Sequence, residues 1–415
     1  MSKQSARAPF ATRLDAILRG HQEFRRHVVP LCAAETPVSA YVRSFMMDSI
    51  HEKYAMGGPM VPAAGNFIGA KHVLDLHQLT IDLCRETFGA TYADPRPLSG
   101  TSAVTSLLMT LSEPGQRVLL QTPASGGHPS MVPICRRLGL EIIDLPYDYD
   151  RFQIDEQACR DLADAADFVL VAPSDILYAP DLGILGFADA TTVVYDATQT
   201  LGLIASGHLP CPLDAHPRLV VSGGTHKTLP GPSTGLLMTQ NEEIAARIDS
   251  ELSPKFVRHS HPHHMAALCA TLIEHWEIGG LYSERIRLFA DTLSASLAGE
   301  GLAVLQNGDR VTETHQVFLH VAPTRLDAIY DRAAAVGITL NKKRKPLFRD
   351  TGLRLGVQEI ARYQWAESDV ERLARLLSKV VTSDAAVDEL RTEVRSLAQL
   401  NTFADEMHVM PTAGA

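Results

Sequence analysis

Three short stretches of this chain carry residues that could share one chemistry. In VVSGGTHKTLPGPSTGLLMT (residues 220–239), Lys227 stands between two apolar runs and is flanked by small residues. Burial disfavours an ammonium, so a lysine held there gives up its proton readily and becomes a nucleophile toward aldehydes. The other possibility is a solvated turn lysine. In VVYDATQ, Asp196 closes an apolar, strand-like run. A carboxylate in that position needs a cationic partner, such as a protonated pyridine nitrogen, unless it reaches solvent. SGTSA (residues 99–103) opens a helical pattern with small residues. Free backbone N–H groups and the helix dipole attract a phosphate at such a point, and the same residues also serve as a plain N-cap. An amine for an aldehyde, an acid for a pyridinium and a cup for a phosphate are together what pyridoxal 5'-phosphate requires.

These residues must be held in place by regular elements. Val104, Leu107, Leu108 and Leu111 follow the i, i+3, i+4, i+7 spacing of an amphipathic helix. Apolar runs at 117–122, 140–146, 168–174, 191–197 and 218–224 predict short strands, with a helix at 129–138. Nearly continuous apolar strands between helices point to a mostly parallel sheet covered on both faces. Chemistry collects at the carboxyl ends of such strands, where Ser174, Asp196 and Lys227 fall. Residues 1–50 read as a helical N-terminal segment, 51–284 as a large cofactor-binding domain, and 285–415 as a smaller C-terminal α/β domain with a helical tail. That smaller unit is marked by a helix at 283–300, the runs GLAVLQ and HQVFLHV, a helix at 325–336, and the runs GITLN and GLRLGV. The terminal MPTAGA reads as frayed.

Composition excludes several classes. At 415 residues, 45% hydrophobic and 21% charged, the chain can build two substantial cores. A net charge of -10 argues against nucleic acid as a partner. Six cysteines with no CxxC pairing read as reduced residues of a cytoplasmic protein. The first twenty residues lack the apolar core of a signal peptide, and no 18-residue apolar run suggests a membrane.

From about Tyr54 to Arg354 the order of motifs resembles serine hydroxymethyltransferases and their relatives among fold-type-I pyridoxal-phosphate enzymes. THKTLPGP is similar to the family's THKTLRGP, which implies Lys227 as the Schiff-base lysine with Thr225 and His226 beside the cofactor. SGTSA is similar to SGSQA, implying Ser99, Gly100 and Thr101 as the phosphate cup. PASGGHPS resembles LAHGGHLT and implies His128 as the catalytic imidazole stacked on the pyridine ring. VAPSD resembles the segment that sets Ser174 near the phenolic oxygen. YDATQTLGLIASG resembles VDMAHVAGLVAAG, with Asp196 as the pyridinium partner. GITLNKK…GLRLGV resembles GITVNKN…GLRIGT, with Arg354 as the clamp on the substrate α-carboxylate. The resemblance further implies a large domain with a mostly parallel seven-stranded sheet, a smaller C-terminal α/β domain, and a homodimer with shared active sites.

The departures are equally specific. The family's YAEGYPGKRYYGGCE is here YAMGGPMVPAAGNFIGAKH. Tyr54, a catalytic and substrate-binding candidate, is kept, but the acid two residues later is Met56. A thioether cannot handle the protons that this acid handles in folate-dependent hydroxymethyl transfer. The RYYGG region becomes Gly65, Asn66, Phe67, Ile68 and Gly69, and the histidine after the pyridinium acid becomes Gln199. The QGGP phosphate segment becomes Arg258-His259-Ser260-His261. In RHSHPHH, the imidazoles of His259, His261, His263 and His264 could ligate zinc. No cysteine or carboxylate adjoins them, however, and Pro262 breaks a helical i, i+4 array, so no metal is expected and contact with cofactor or substrate is the other reading. The run Asn341-Lys342-Lys343-Arg344-Lys345 reads as a solvated turn, or as a lure for an anionic substrate.

The expectation is therefore an enzyme acting on the Cα–Cβ bond of a β-hydroxy amino acid without folate. It would cleave serine or threonine, or transfer a glycyl unit to an aldehyde co-substrate. An aminotransferase, a racemase, an elimination or replacement enzyme, and a non-catalytic cofactor-binding protein stay open.

Overall fold

The computed structural model describes residues 3–56 and 67–407; Gly65, Asn66 and the MPTAGA end lie outside them. Seven strands form the main sheet: β1 (Tyr92–Asp94), β2 (Arg117–Leu120), β3 (Glu141–Asp144), β4 (Phe168–Val171), β5 (Thr192–Asp196), β6 (Leu219–His226) and β7 (Pro230–Thr239). Their order is β1-β7-β6-β5-β4-β2-β3. From β6 to β3 every pairing is parallel, and only β7 runs against its neighbours. Every residue of β4 and β5 is buried, which is why their sequences are continuous apolar runs rather than alternating ones.

The strands β2, β3 and β4 stop earlier than their apolar runs predict. Pro123, Pro146 and Pro173 follow within three residues of each end. A proline cannot donate to the ladder and restricts the residue before it, so the chain leaves the sheet there. The strand β6 extends further than predicted, because Pro230 of β7 pairs with His226.

A second sheet is built from β8 (Val304–Leu305), β9 (Gln316–His320), β10 (Asn341–Lys345) and β11 (Asp350–Gly356), in the antiparallel order β8-β9-β11-β10. The run 341–345 is thus a strand and not a solvated turn. Its charges alternate between faces. Lys342 and Arg344 point outward and pair with Asp327 at 2.8 and 2.6 Å. Lys343 and Lys345 point inward and meet a carboxylate, described below, that offsets their burial.

The change of pattern at Arg285 falls inside one helix, Pro262–Gly299, which packs against both sheets. The N-terminal segment holds the helix Lys3–Arg25, and its next residues, Val29–Pro30, pair in parallel with Ile338–Thr339. One apolar core runs through both units, joining Val193 and Val221 to Phe289, Val317, Leu355 and Leu373. A separate cluster of Ala103, Leu107, Val118, Val220 and Ile244 covers the other face of the main sheet. Among the described residues no helix is long and apolar enough to cross a membrane.

Candidate active site

The three stretches singled out above meet around one hydroxyl. Asp196 is the buried last residue of β5, and its Oδ1 accepts both the hydroxyl and the N–H (3.0 Å) of Thr198. Thr198 Oγ1 in turn accepts the N–H of Gly224 on β6 at 2.7 Å. A Cβ on Gly100 would lie 3.0 Å from both Gly224 N and Thr198 Oγ1, so the helix Gly100–Leu111 starts directly against this junction. A side chain there would have to push these neighbours back by a few tenths of an ångström, so glycine suits so close an approach.

Ser99 caps that helix. Its hydroxyl accepts Ser102 N–H at 3.1 Å, and its own N–H donates to Ser102 Oγ at 2.8 Å. The hydroxyl oxygen is thereby engaged as an acceptor, and its own proton is left for an anion. The N–H groups of Gly100 and Thr101 lie in the first turn, where the helix supplies no acceptor, and they remain for an anion.

Lys227 follows β6 directly. The hydroxyl of Thr36 donates to its carbonyl at 2.6 Å, which ties the lysine to the N-terminal segment. Burial pushes its amine down to about 8, Arg354 adds to that, and the carboxylate of Asp196 opposes it. The neighbouring Thr225 hydroxyl is turned away to Pro232 O at 2.6 Å. His226 is lowered by burial and then by Lys227, and its Nδ1 is buried with no partner among the described residues.

His128 is set by two glycines. Gly126 has φ +95, and its carbonyl accepts the N–H groups of Ser174 (2.8 Å) and Asp175 (3.0 Å). A Cβ on Gly127 would lie 1.8 Å from Gln121 O. His128 then donates its N–H to Ala172 O at 2.8 Å, while its Nδ1 accepts Ser130 N–H at 3.3 Å. Burial holds the imidazole below its ordinary pKa, Asp196 opposes this, and Lys227 reinforces it, so the ring is neutral at pH 7.

Arg354, on β11, is 5% exposed. Its Nη1 donates to Ser174 O (2.8 Å) and Asp175 Oδ1 (2.9 Å), and its Nε and Nη2 donate to Asn341 Oδ1 (3.2 and 2.7 Å). Gln316 Nε2 joins the same group, reaching Ser174 O at 3.2 Å and Gln199 Oε1 at 3.0 Å. Asp175 also takes Lys343 at 2.7 Å and Lys345 at 2.6 Å. Burial would raise its carboxyl, but Arg354 and the two lysines together hold it below the usual range. Asn341, Lys343 and Lys345 belong to the basic run that the sequence marks, whereas Asp175 stands in VAPSD with no role read for it. A signal for Asp175 was present, since VAPSD, like VVYDA, sets an acid just past a buried strand.

Tyr54 is not brought to this group. It is 42% exposed and stacks on His259 (centroids 4.7 Å apart, planes at 5°), with Phe67 at 5.0 Å. The rings of His259, His261, His263 and His264 adjoin one another at 4.3 to 6.1 Å. Among the described residues no group of three His, Cys, Asp or Glu is arranged to hold a metal ion. Pyridoxal 5'-phosphate does fit the donor set: a helix N-terminus, a fixed acid with one carboxylate oxygen outside the Thr198 bonds, and a lysine with a depressed pKa converge on one strand-end junction.

Three comparisons bear on that fit. The family model described as serine hydroxymethyltransferase matches residues 10–377. The serine hydroxymethyltransferase of Methanopyrus kandleri is 31% identical over 394 residues, covering 91% of this chain and 90% of its own. That of Pyrococcus horikoshii is 30% identical over 393 residues, covering 90% and 91%. The crystal structure of L-threonine transaldolase from Pseudomonas fluorescens, in its internal aldimine state, has a TM-score of 0.90. It covers 97% of this chain and 94% of that one at 24% identity, a likeness of fold.

Proposed function

The chain belongs to the serine hydroxymethyltransferase family of pyridoxal-phosphate-dependent transferases, and from that premise we propose that it acts on the Cα–Cβ bond of a β-hydroxy amino acid without folate. The observation that carries this is a complete cofactor anchor at Gly100, Asp196 and Lys227 combined with a methionine, Met56, where the family has its acid. The shared fold with a protein described as an L-threonine transaldolase supports transfer to an aldehyde as well as simple cleavage.

The cofactor, when bound, supplies an electron sink for the pair left at Cα. The free oxygen of Asp196 would hold the proton of the pyridine nitrogen. The Gly100 and Thr101 N–H groups would hold the phosphate, and Lys227 would take the aldehyde carbon. His128 exchanges the proton of the β-hydroxyl at Nε2. To accept it there, the neutral ring must carry its own proton on Nδ1 and release Ser130, and the 3.3 Å length of that contact makes the release cheap. Tyr54 and the His259–His264 group serve the site of a second copy in a homodimer.

One measurement tests this reading. L-threonine or L-serine is supplied without tetrahydrofolate, and acetaldehyde or formaldehyde is measured. Release of aldehyde is expected, with His128→Ala slowing it by roughly 10²–10⁴-fold. A saturable dependence on tetrahydrofolate would overturn it. So would stoichiometric conversion of the cofactor to its pyridoxamine form with a keto acid as product. That second outcome has its own support, because an amine with a pKa of about 8 at Lys227 also suits proton transfer at Cα.

A further inference from the structure

Three cations, carried by β10 and β11, meet one anion. Asp175 Oδ1 lies 2.7 Å from Lys343 Nζ and 2.9 Å from Arg354 Nη1, and Oδ2 lies 2.6 Å from Lys345 Nζ. Asp175 is 1% and Arg354 5% exposed, and the Lys343 and Lys345 side chains 17% and 15%, so an excess of two positive charges sits where water screens it only in part. The α-carboxylate of an amino acid offsets one of them. A second negative charge is still called for.

Donor counts show where that charge would bind. Arg354 has five N–H donors, and four are engaged by Ser174, Asp175 and Asn341. Lys343 and Lys345 have three donors each and make one bond apiece to Asp175. The spare capacity therefore lies on the lysines. Lys343 also lies within electrostatic reach of the chemistry, since its charge and that of Asp175 act on both His128 and Lys227.

We infer that the acceptor aldehyde carries an anionic oxyacid group of its own, bound by Lys343 and Lys345. This rests on the reading that the enzyme passes a glycyl unit to an aldehyde. In that reaction the Cα–Cβ bond of the donor breaks as its β-hydroxyl loses a proton, and the donor's aldehyde departs. The electron pair left on Cα forms a bond to the acceptor's carbonyl carbon, whose oxygen takes up the proton. Nothing is oxidised or reduced, and the anionic group is unchanged.

The test uses the holoenzyme with L-threonine as donor and two matched pairs of acceptors: succinic semialdehyde against butanal, and glycolaldehyde phosphate against glycolaldehyde. The anionic member of at least one pair should show a KM lower by about 10- to 100-fold, the scale of one charge-assisted hydrogen bond. Which pair discriminates tells a carboxylate from a phosphate. Lys343→Gln and Lys345→Gln should each erase most of that preference, with any rise in the KM for threonine smaller than the rise for the anionic acceptor. A readout independent of turnover is the Tm of the wild-type holoenzyme titrated with succinate and with inorganic phosphate. One of the two should raise it saturably and 1,4-butanediol should not. If the variants do not fold, the wild-type pairs and titrations still decide. Equal KM values within both pairs overturn the inference while acetaldehyde release from threonine upholds the underlying reading. Absence of any aldehyde product sinks that reading first. An equal rise in the KM for threonine in Lys343→Gln also overturns the inference, by assigning the lysine to the α-carboxylate.

Discussion

Two acids lie at or just past the ends of neighbouring strands of the main sheet, and they are used in opposite ways. Asp196, ending β5, takes its hydrogen bonds from neutral Thr198 and leaves Lys227 without a carboxylate bond. Burial outweighs the opposing pull of the Asp196 carboxylate, and the lysine sinks to about 8. Asp175, past β4, takes Arg354, Lys343 and Lys345 directly, and its carboxyl falls below the usual range. Burial lowers Lys343 too, but Asp175 opposes that at bonding distance. The same residue types at equivalent places in a sheet thus give a reactive amine in one case and a charged binding surface in the other. What separates them is whether the acid's lone pairs go to a hydroxyl or to cations.

The largest effect that separates the two is chemical. Lys227→Ala should lower turnover by about 10⁴–10⁶-fold, because no other amine can replace a nucleophile. Its holoenzyme should also lose the cofactor label that borohydride fixes to this residue, as read by peptide mapping. A label on Lys343 instead would reverse the two roles. The next effect is on stability. Asp175→Ala leaves three cations without their carboxylate and should cost about 3–5 kcal/mol in urea unfolding of the apoprotein. Asp196→Ala loses only bonds to neutral donors and should cost about 1–3 kcal/mol. Equal losses would erase the distinction. The smallest effect is in pH. Apoprotein captures cofactor through the neutral amine, so the rate should rise with pH and reach half its plateau near pH 8 rather than near 10.5. The sign for stability agrees. Between those values the unfolded lysine holds a proton that the folded one has lost, so apoprotein stability rises with pH in that window. A stopped-flow midpoint above pH 10 would show that Lys227 is an ordinary solvated lysine.

The sequence made the first acid legible and hid the second. Asp196, Lys227 and SGTSA each carry a local pattern of an apolar run followed by small residues, and the parallel sheet follows from the runs themselves. Asp175 stands in the same kind of place, but its meaning depends on partners roughly 170 positions away, which no local pattern records. The run 341–345 reads as a turn and not as the strand it is because all five residues are polar. The alternation that makes it a strand is one of charge partners, Asp327 outside and Asp175 inside, rather than of hydrophobicity. Tyr54 was found by resemblance, yet within one chain its ring rests on His259, a contact that motif order does not encode. Thr36, which holds the Lys227 carbonyl, sits in a stretch with no distinguishing composition.

The pairing of Val29 with Ile338 sets a clock on biosynthesis. At ~5–20 residues per second, the roughly 300 residues between them take about 15–60 s to leave a ribosome. Over that interval the N-terminal strand has no mate. Leu31, fully buried in the finished protein, must wait in the open or in the keeping of a chaperone. The bond from Thr36 to the Lys227 carbonyl lies just downstream of that strand, so the segment that fastens the seat of the reactive lysine is itself secured only once Ile338 has been made.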